Sequence, residues 1–152
     1  MVCGVNMNHE EFEKQMVEKY PRYFGEDTHY GGFAIGEGWY HIVDALMNQI
    51  QNHINWSIKN HEWDLENDKE DVRPVCPEVT VTQIKEKFGG LRFYYDGGDQ
   101  YISGLVSMAE SWADHTCETC GNKGKRRSGG WIRALCDKHE AMYQVSKGNY
   151  NE

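Results

Sequence analysis

Apolar residues recur at helical spacing in three places along the chain and switch to a strand-like pattern in a fourth. Phe12, Met16 and Tyr20 repeat every four residues behind Asn8 and Glu11, a capping-box pair, and Pro21 ends the run. This spacing predicts a helix over about 9–20. Trp39, Ile42, Val43, Leu46, Ile50, Ile54 and Ile58 share one stripe, with Asp44, Asn48, Gln51, Asn55 and Lys59 elsewhere on the wheel. They predict a second helix of about twenty residues. Asp99 is placed to cap a third, whose stripe is Ile102, Leu105, Val106, Ala109, Trp112 and Ala113. Before it, VTVTQIKEKF (from Val79) and LRFYY flank Gly89-Gly90, and Asp96-Gly97-Gly98 follows. Two β-prone runs around a glycine pair predict a hairpin. Residues 21–38 read as a structured loop, and an acidic stretch from Glu62 to Asp71 leads to Pro74 and Pro77, which exclude helix there.

The length of 152 residues suits one domain, or one with a small appended module. Aromatic residues make up 12% of the chain, which argues for a packed core. No apolar run approaches the eighteen or so residues that a membrane span needs. The start, MVCGVNMNHEEFEK, lacks a basic segment followed by an apolar one. The expectation is therefore a cytoplasmic protein with reduced cysteines. Net charge is −8, all of it carried by residues 1–75, which disfavours bulk attraction to nucleic acid or anionic lipid. One segment departs from this: residues 121–135 hold Lys123, Lys125, Arg126, Arg127 and Arg133 and no acid.

That basic segment lies inside the strongest chemical signal. Cys117-Glu-Thr-Cys120 and Cys136-Asp-Lys-His139 are separated by fifteen residues, a spacing typical of structural zinc. Each short pair bends the backbone so that two ligand atoms meet one ion, and two pairs complete a tetrahedron. Gly121 suits the tight turn after the second cysteine. A hairpin turning at Ser128-Gly129-Gly130 and a closing helix carrying Cys136 and His139 would make a treble-clef arrangement. His115 is a rival for the place of His139. Four protein ligands close the shell, so such a zinc is structural; a catalytic zinc keeps one position for water. Cys3 and Cys76 are left over and read as free thiols, with His9 a weak candidate base near Cys3 in sequence.

The blocks GEGWYHIVDAL, VTQIKEKFGGLRFYYDGG, CETCG, GGWIRALC and DKH, in that order, resemble a family of small uncharacterised zinc-binding proteins of phages and prophages. The resemblance spans roughly residues 20–140 and leaves out the first helix and the acidic 62–71. It implies a phage-encoded accessory protein acting in the host bacterial cytoplasm, and it implies no particular activity.

Other candidates are weaker in pattern. Lys85, Lys87 and Arg92 stand among Phe88, Phe93, Tyr94 and Tyr95 around Gly89-Gly90. With Trp39 they are candidate ligand-binding residues, offering stacking for a nucleotide base and charge for its phosphate. The plainer reading gives the hairpin one core face and one charged face, and places Trp39 in the core. Lys123, Lys125, Arg126 and Arg127 are candidate nucleic-acid contacts or simply a solvated hairpin. Glu37 is an unpaired acid/base candidate, and His41 and Asp44 are three apart on the long helix. The chain has no P-loop, no Gly-x-Ser-x-Gly and no His-Glu-x-x-His.

The expected fold is α+β. Helices pack on a small antiparallel hairpin sheet over 1–114, and a treble-clef-like zinc module occupies 115–146. The expected function is non-enzymatic binding that inhibits a host or defence component, either a protein or a nucleotide signal. Nucleic-acid binding through 123–127 and an enzyme acting on nucleotides are the alternatives, and no membrane partner is expected.

Overall fold

The computed structural model describes residues 7–24 and 32–148. Helix α1 (His9–Lys19) starts on the expected capping box: Asn8 Oδ1 accepts from the Glu11 N–H at 2.9 Å, and Glu11 Oε2 accepts from the Asn8 N–H at 3.1 Å. Its buried face holds Phe12 and Met16; the Phe12 ring meets Phe33 of strand β1 (Phe33–Ala34) edge-on at 5.3 Å and stacks on Tyr40 at 3.9 Å. A 3-10 turn (Glu37–Trp39) leads into helix α2 (Tyr40–Glu66), which buries Ile42, Val43, Leu46, Met47, Ile50 and Ile54. Tyr20 donates its hydroxyl to Asp44 Oδ1 at 2.6 Å, and Lys19 Nζ lies 2.8 Å from the same atom, which pins the end of α1 to α2.

Helix α2 has 27 residues and runs into the acidic stretch expected to lie outside it. The reason is Asp64, whose side chain is only 4% exposed. Arg73 donates to its carboxylate through Nη2 (2.7 Å), Nε (2.8 Å) and the backbone N–H (2.9 Å). A paired acid can be buried where a lone one would be costly.

Strands β2 (Val79–Lys87) and β3 (Gly90–Gly97) form the antiparallel hairpin, and α3 (Gln100–Asp114) begins on its Asp99 cap. Two details differ from expectation. The sheet has three strands in the order β1-β2-β3, with β1 parallel to β2, so part of the 21–38 loop is sheet. The turn is Phe88-Gly89, with φ of 52° and 74°, and Gly90 already belongs to β3. A bulge at Val81/Gln83 keeps Ile84 on the buried face with Val79 and Val81. Helix α3 covers the free edge of β3, where Glu110 Oε1 accepts from the Phe93 N–H at 3.1 Å.

The remaining elements are β4 (Lys125–Arg127), β5 (Arg133–Leu135) and α4 (Asp137–Gly148). Ala134 belongs to the same buried cluster as Trp39, Ile42 and Leu91, so the C-terminal segment shares the core of the rest. The class is α+β. Among the described residues, no helix is long and apolar enough to cross a membrane.

Candidate metal centre

The end of α3 feeds directly into the first ligand pair. Thr116 donates its hydroxyl to the Trp112 carbonyl at 2.8 Å, and the Gly121 N–H closes the next turn on the Cys117 carbonyl at 2.8 Å, with Gly121 at φ 78°. Strands β4 and β5 then bring the chain back. Arg127 holds this return by donating to the Leu135 carbonyl (3.0 and 3.1 Å) and to Asp137 (2.7 Å). Cys136 precedes α4, and His139 lies in its first turn.

The four side chains converge. The ligand atoms of Cys117, Cys120, Cys136 and His139 all lie within 4.8 Å of one another and can hold a metal ion. Cys120 Sγ is 3.8 Å from Cys136 Sγ, and His139 Nδ1 is 3.6 Å from Cys117 Sγ and 3.2 Å from Cys136 Sγ. Cys117 is wholly buried and Cys120 exposed. Burial opposes ionisation of Cys117, but N–H donors at Cys136, Cys120 and Thr119 outweigh it and hold the thiol below its ordinary value. Burial and the two neighbouring sulfurs push Cys120 up. The rival His115 is outside the cluster, with its Nδ1 2.9 Å from the Ser111 carbonyl oxygen.

The centre is built into the core. The Gly38 N–H donates to the Glu118 carbonyl at 2.8 Å, and the Trp39 indole N–H donates to the Thr116 carbonyl at 2.9 Å. A Cβ on Gly38 would lie 2.0 Å from the Cys117 carbonyl oxygen, and one on Gly36 2.3 Å from that of Glu118. The Gly-Glu-Gly-Trp block is therefore the seat on which the first metal-binding turn rests. Trp39 has no exposed surface, so as a ligand-binding residue it is corrected to a core residue.

Lys85, Arg92 and Tyr94 stay together on the outer face of the hairpin. Lys85 pairs in register with Arg92, and its ammonium lies 5.4 Å from the Tyr94 ring centre. Lys87 instead points to a cleft of about 450 Å³ between the hairpin tip and the C-terminal segment, lined by Glu86, Lys87, Phe88, Gly130, Trp131 and Ile132. Phe88 and Trp131 are 64% and 68% exposed. Arg126 does not line this cleft but donates to the Phe88 carbonyl at the hairpin tip. Lys123 and Lys125 are exposed, whereas Arg127 is spent on Leu135 and Asp137. The sequence reading missed this cleft. Its only linear trace is an aromatic residue at each of two glycine turns, Phe88-Gly89 and Gly130-Trp131.

The other candidates do not assemble. Asp44 is bound by Tyr20 and Lys19, while His41 meets Trp112 edge-on at 5.3 Å. Glu37 is exposed at the start of the 3-10 turn. Burial, with Asp99 beside it, pushes the Cys76 thiol up to about 11, unlike an activated nucleophile. Cys3 lies outside the described residues. Comparison of the chain with family models, curated proteins and solved structures finds no match.

Proposed function

We propose that the chain is a non-enzymatic, phage-encoded accessory protein. It inhibits a host or defence component by holding a nucleotide-type ligand in the cleft between the β2–β3 tip and the C-terminal segment. The observation that carries this reading is the pairing of two exposed aromatics, Phe88 and Trp131, with the cation of Lys87 around one cleft, while Arg126 is held beside it on the Phe88 carbonyl. A base stacks on the aromatic rings, its phosphate meets the Lys87 ammonium, and Glu86 offers an acceptor for an exocyclic amine.

In this reading the metal is zinc and its role is scaffolding. Bonds of about 2.3 Å to sulfur and about 2.05 Å to nitrogen give tetrahedral edges of about 3.8 Å (S–S) and about 3.6 Å (S–N). The Cys120–Cys136 and Cys117–His139 separations of 3.8 and 3.6 Å agree, and the Cys136–His139 separation of 3.2 Å opens by about 0.4 Å to reach the same edge. A turn, a hairpin and a helix with one ligand just before it and one in its first turn fit a treble clef. The closed ligand shell leaves no position for substrate, which supports binding over turnover.

Calorimetric titration with mononucleotides, cyclic oligonucleotides and short single strands tests the proposal. Saturable binding that is lost in Phe88→Ala and Trp131→Ala is expected; no heat with any of these ligands overturns it. A second reading, in which single-stranded nucleic acid continues onto the exposed Lys123 and Lys125, is favoured if affinity grows with strand length. Four cations (Lys87 at the cleft, then Arg126, Lys123 and Lys125) give a log–log salt slope of about −3.

A further inference from the structure

A second cluster of metal-ligating side chains lies away from the Cys3His centre, on three separate elements. His53 comes from the middle of α2, Cys76 from the segment between Pro74 and Pro77, and Asp99 from the cap of α3. Their ligand atoms also lie within 4.8 Å of one another.

Each of the three is held from behind. Ser57 lies one turn beyond His53 on α2, and its Oγ accepts from the Cys76 N–H at 2.9 Å, which fixes the cysteine over the same face of the helix. The His53 ring stacks on Tyr101 at 4.2 Å with 15° between planes. Asp99 uses Oδ1 to cap α3, accepting from the Ile102 N–H at 3.0 Å, which leaves Oδ2 for His53 Nε2 at 2.8 Å. Ligand atoms whose carriers are fixed in this way lose little freedom on coordination.

We propose that His53 Nε2, Cys76 Sγ and Asp99 Oδ2 form a second zinc site with an open fourth position. One thiolate, one imidazole and one carboxylate suit Zn²⁺ among the common divalent ions. A tetrahedral ion needs its nitrogen and oxygen ligands about 3.4 Å apart, so the His53–Asp99 contact opens by roughly half an ångström. The thiol gives its proton to solvent, and the imidazole keeps its proton on Nδ1. The side chains of His53 and Asp99 are 22% and 38% exposed, so the ion has a path from solvent and its fourth ligand is water. This site is independent of the Phe88–Trp131 cleft and differs in kind from the closed Cys3His centre.

The test is metal stoichiometry on the full chain. Equilibrium dialysis against micromolar Zn²⁺, followed by elemental analysis, should find two ions per chain in the wild type and one in Cys76→Ser and in His53→Ala. Asp99→Asn, which keeps a good helix cap, should weaken the second ion without unfolding α3. Co²⁺ titration of the wild type adds a readout that needs no variant: the two equivalents should differ in sulfur-to-cobalt charge transfer, strong for three thiolates and weak for one. A wild type that saturates at one ion with only the three-thiolate spectrum overturns the proposal. So does a second ion that survives both Cys76→Ser and His53→Ala.

Discussion

The indole N–H of Trp39 donates to the Thr116 carbonyl at 2.9 Å, across the seam where the helical core meets the first metal-binding turn. Thr116 is the residue before Cys117, so the hydrogen bond fixes the backbone from which the buried ligand hangs. Trp39→Phe removes the donor, strands a buried carbonyl and leaves a void. The expected cost is about 2–4 kcal/mol, measured by denaturant unfolding, with faster release of metal to a chromogenic chelator. Lower stability with an unchanged release rate would mean that the seam does not steady the centre.

Gly38→Ala is expected to weaken metal binding although Gly38 is no ligand. The added methyl would lie 2.0 Å from the Cys117 carbonyl oxygen and 2.6 Å from the Gly121 nitrogen, both backbone atoms that cannot swing aside. The first metal-binding turn must therefore lift from its seat. Gly104→Ala, where a Cβ meets nothing within 4 Å, is the matched control and should leave metal affinity unchanged.

Removing the metal should loosen residues 115–148 first. Metal binding supplies folding free energy of order 10 kcal/mol in small zinc peptides, and the β4–β5 hairpin has only three residues per strand to hold itself together. Chelation or Cys117→Ser should raise amide exchange through this segment and carry the disturbance to Trp39, read as faster exchange of its indole N–H, which donates to the Thr116 carbonyl. Exchange that stays slow after complete metal loss would refute the scaffolding role of the metal.

Local patterns foretold the parts of the fold that are local. The stripes of α1, α2 and α3, the Asn8 and Asp99 caps and the two ligand pairs all depend on neighbours within a few turns. What the sequence concealed depends on distant partners. The two residues of β1 become a strand only because β2 lies beside them. The acidic end of α2 stays helical because Arg73 captures Asp64. The Phe88–Trp131 cleft and the His53–Cys76–Asp99 cluster each join residues far apart in the chain, so no spacing rule announces them.

The Asp64–Arg73 pair sets an acid sensitivity. Hydrogen bonds from the Arg73 guanidinium and backbone N–H hold the Asp64 carboxyl down at about 2, against an ordinary value near 3.9 in the unfolded chain. A group lowered by folding stabilises the native state above its unfolded value and loses that contribution as pH falls through its folded value. The pair should therefore stabilise fully above about pH 4 and fade between about pH 4 and about pH 2. Thermal melts of the wild type and Asp64→Asn should differ most near neutrality and converge toward pH 2. A gap that stays constant across this range would refute the role assigned to Asp64.

Phe88 supplies the sharpest separation of stability from binding. Its φ of 52° places a bulky aromatic in the left-handed region, at a turn position where asparagine or glycine is favoured. The ring gains little in return from the fold, since it is 64% exposed, with the Lys87 ammonium 5.5 Å from its centre. Phe88→Asn relieves the backbone and should raise stability by about 1 kcal/mol. It also removes one wall of the cleft, and base stacking on an aromatic ring contributes about 1–3 kcal/mol. Nucleotide affinity should accordingly fall by about 5- to 150-fold while the melting temperature rises. Opposite movements of the two quantities are the signature of strain retained for binding; a variant that binds as the wild type does would make Phe88 a bystander and remove the main support for the cleft as the site.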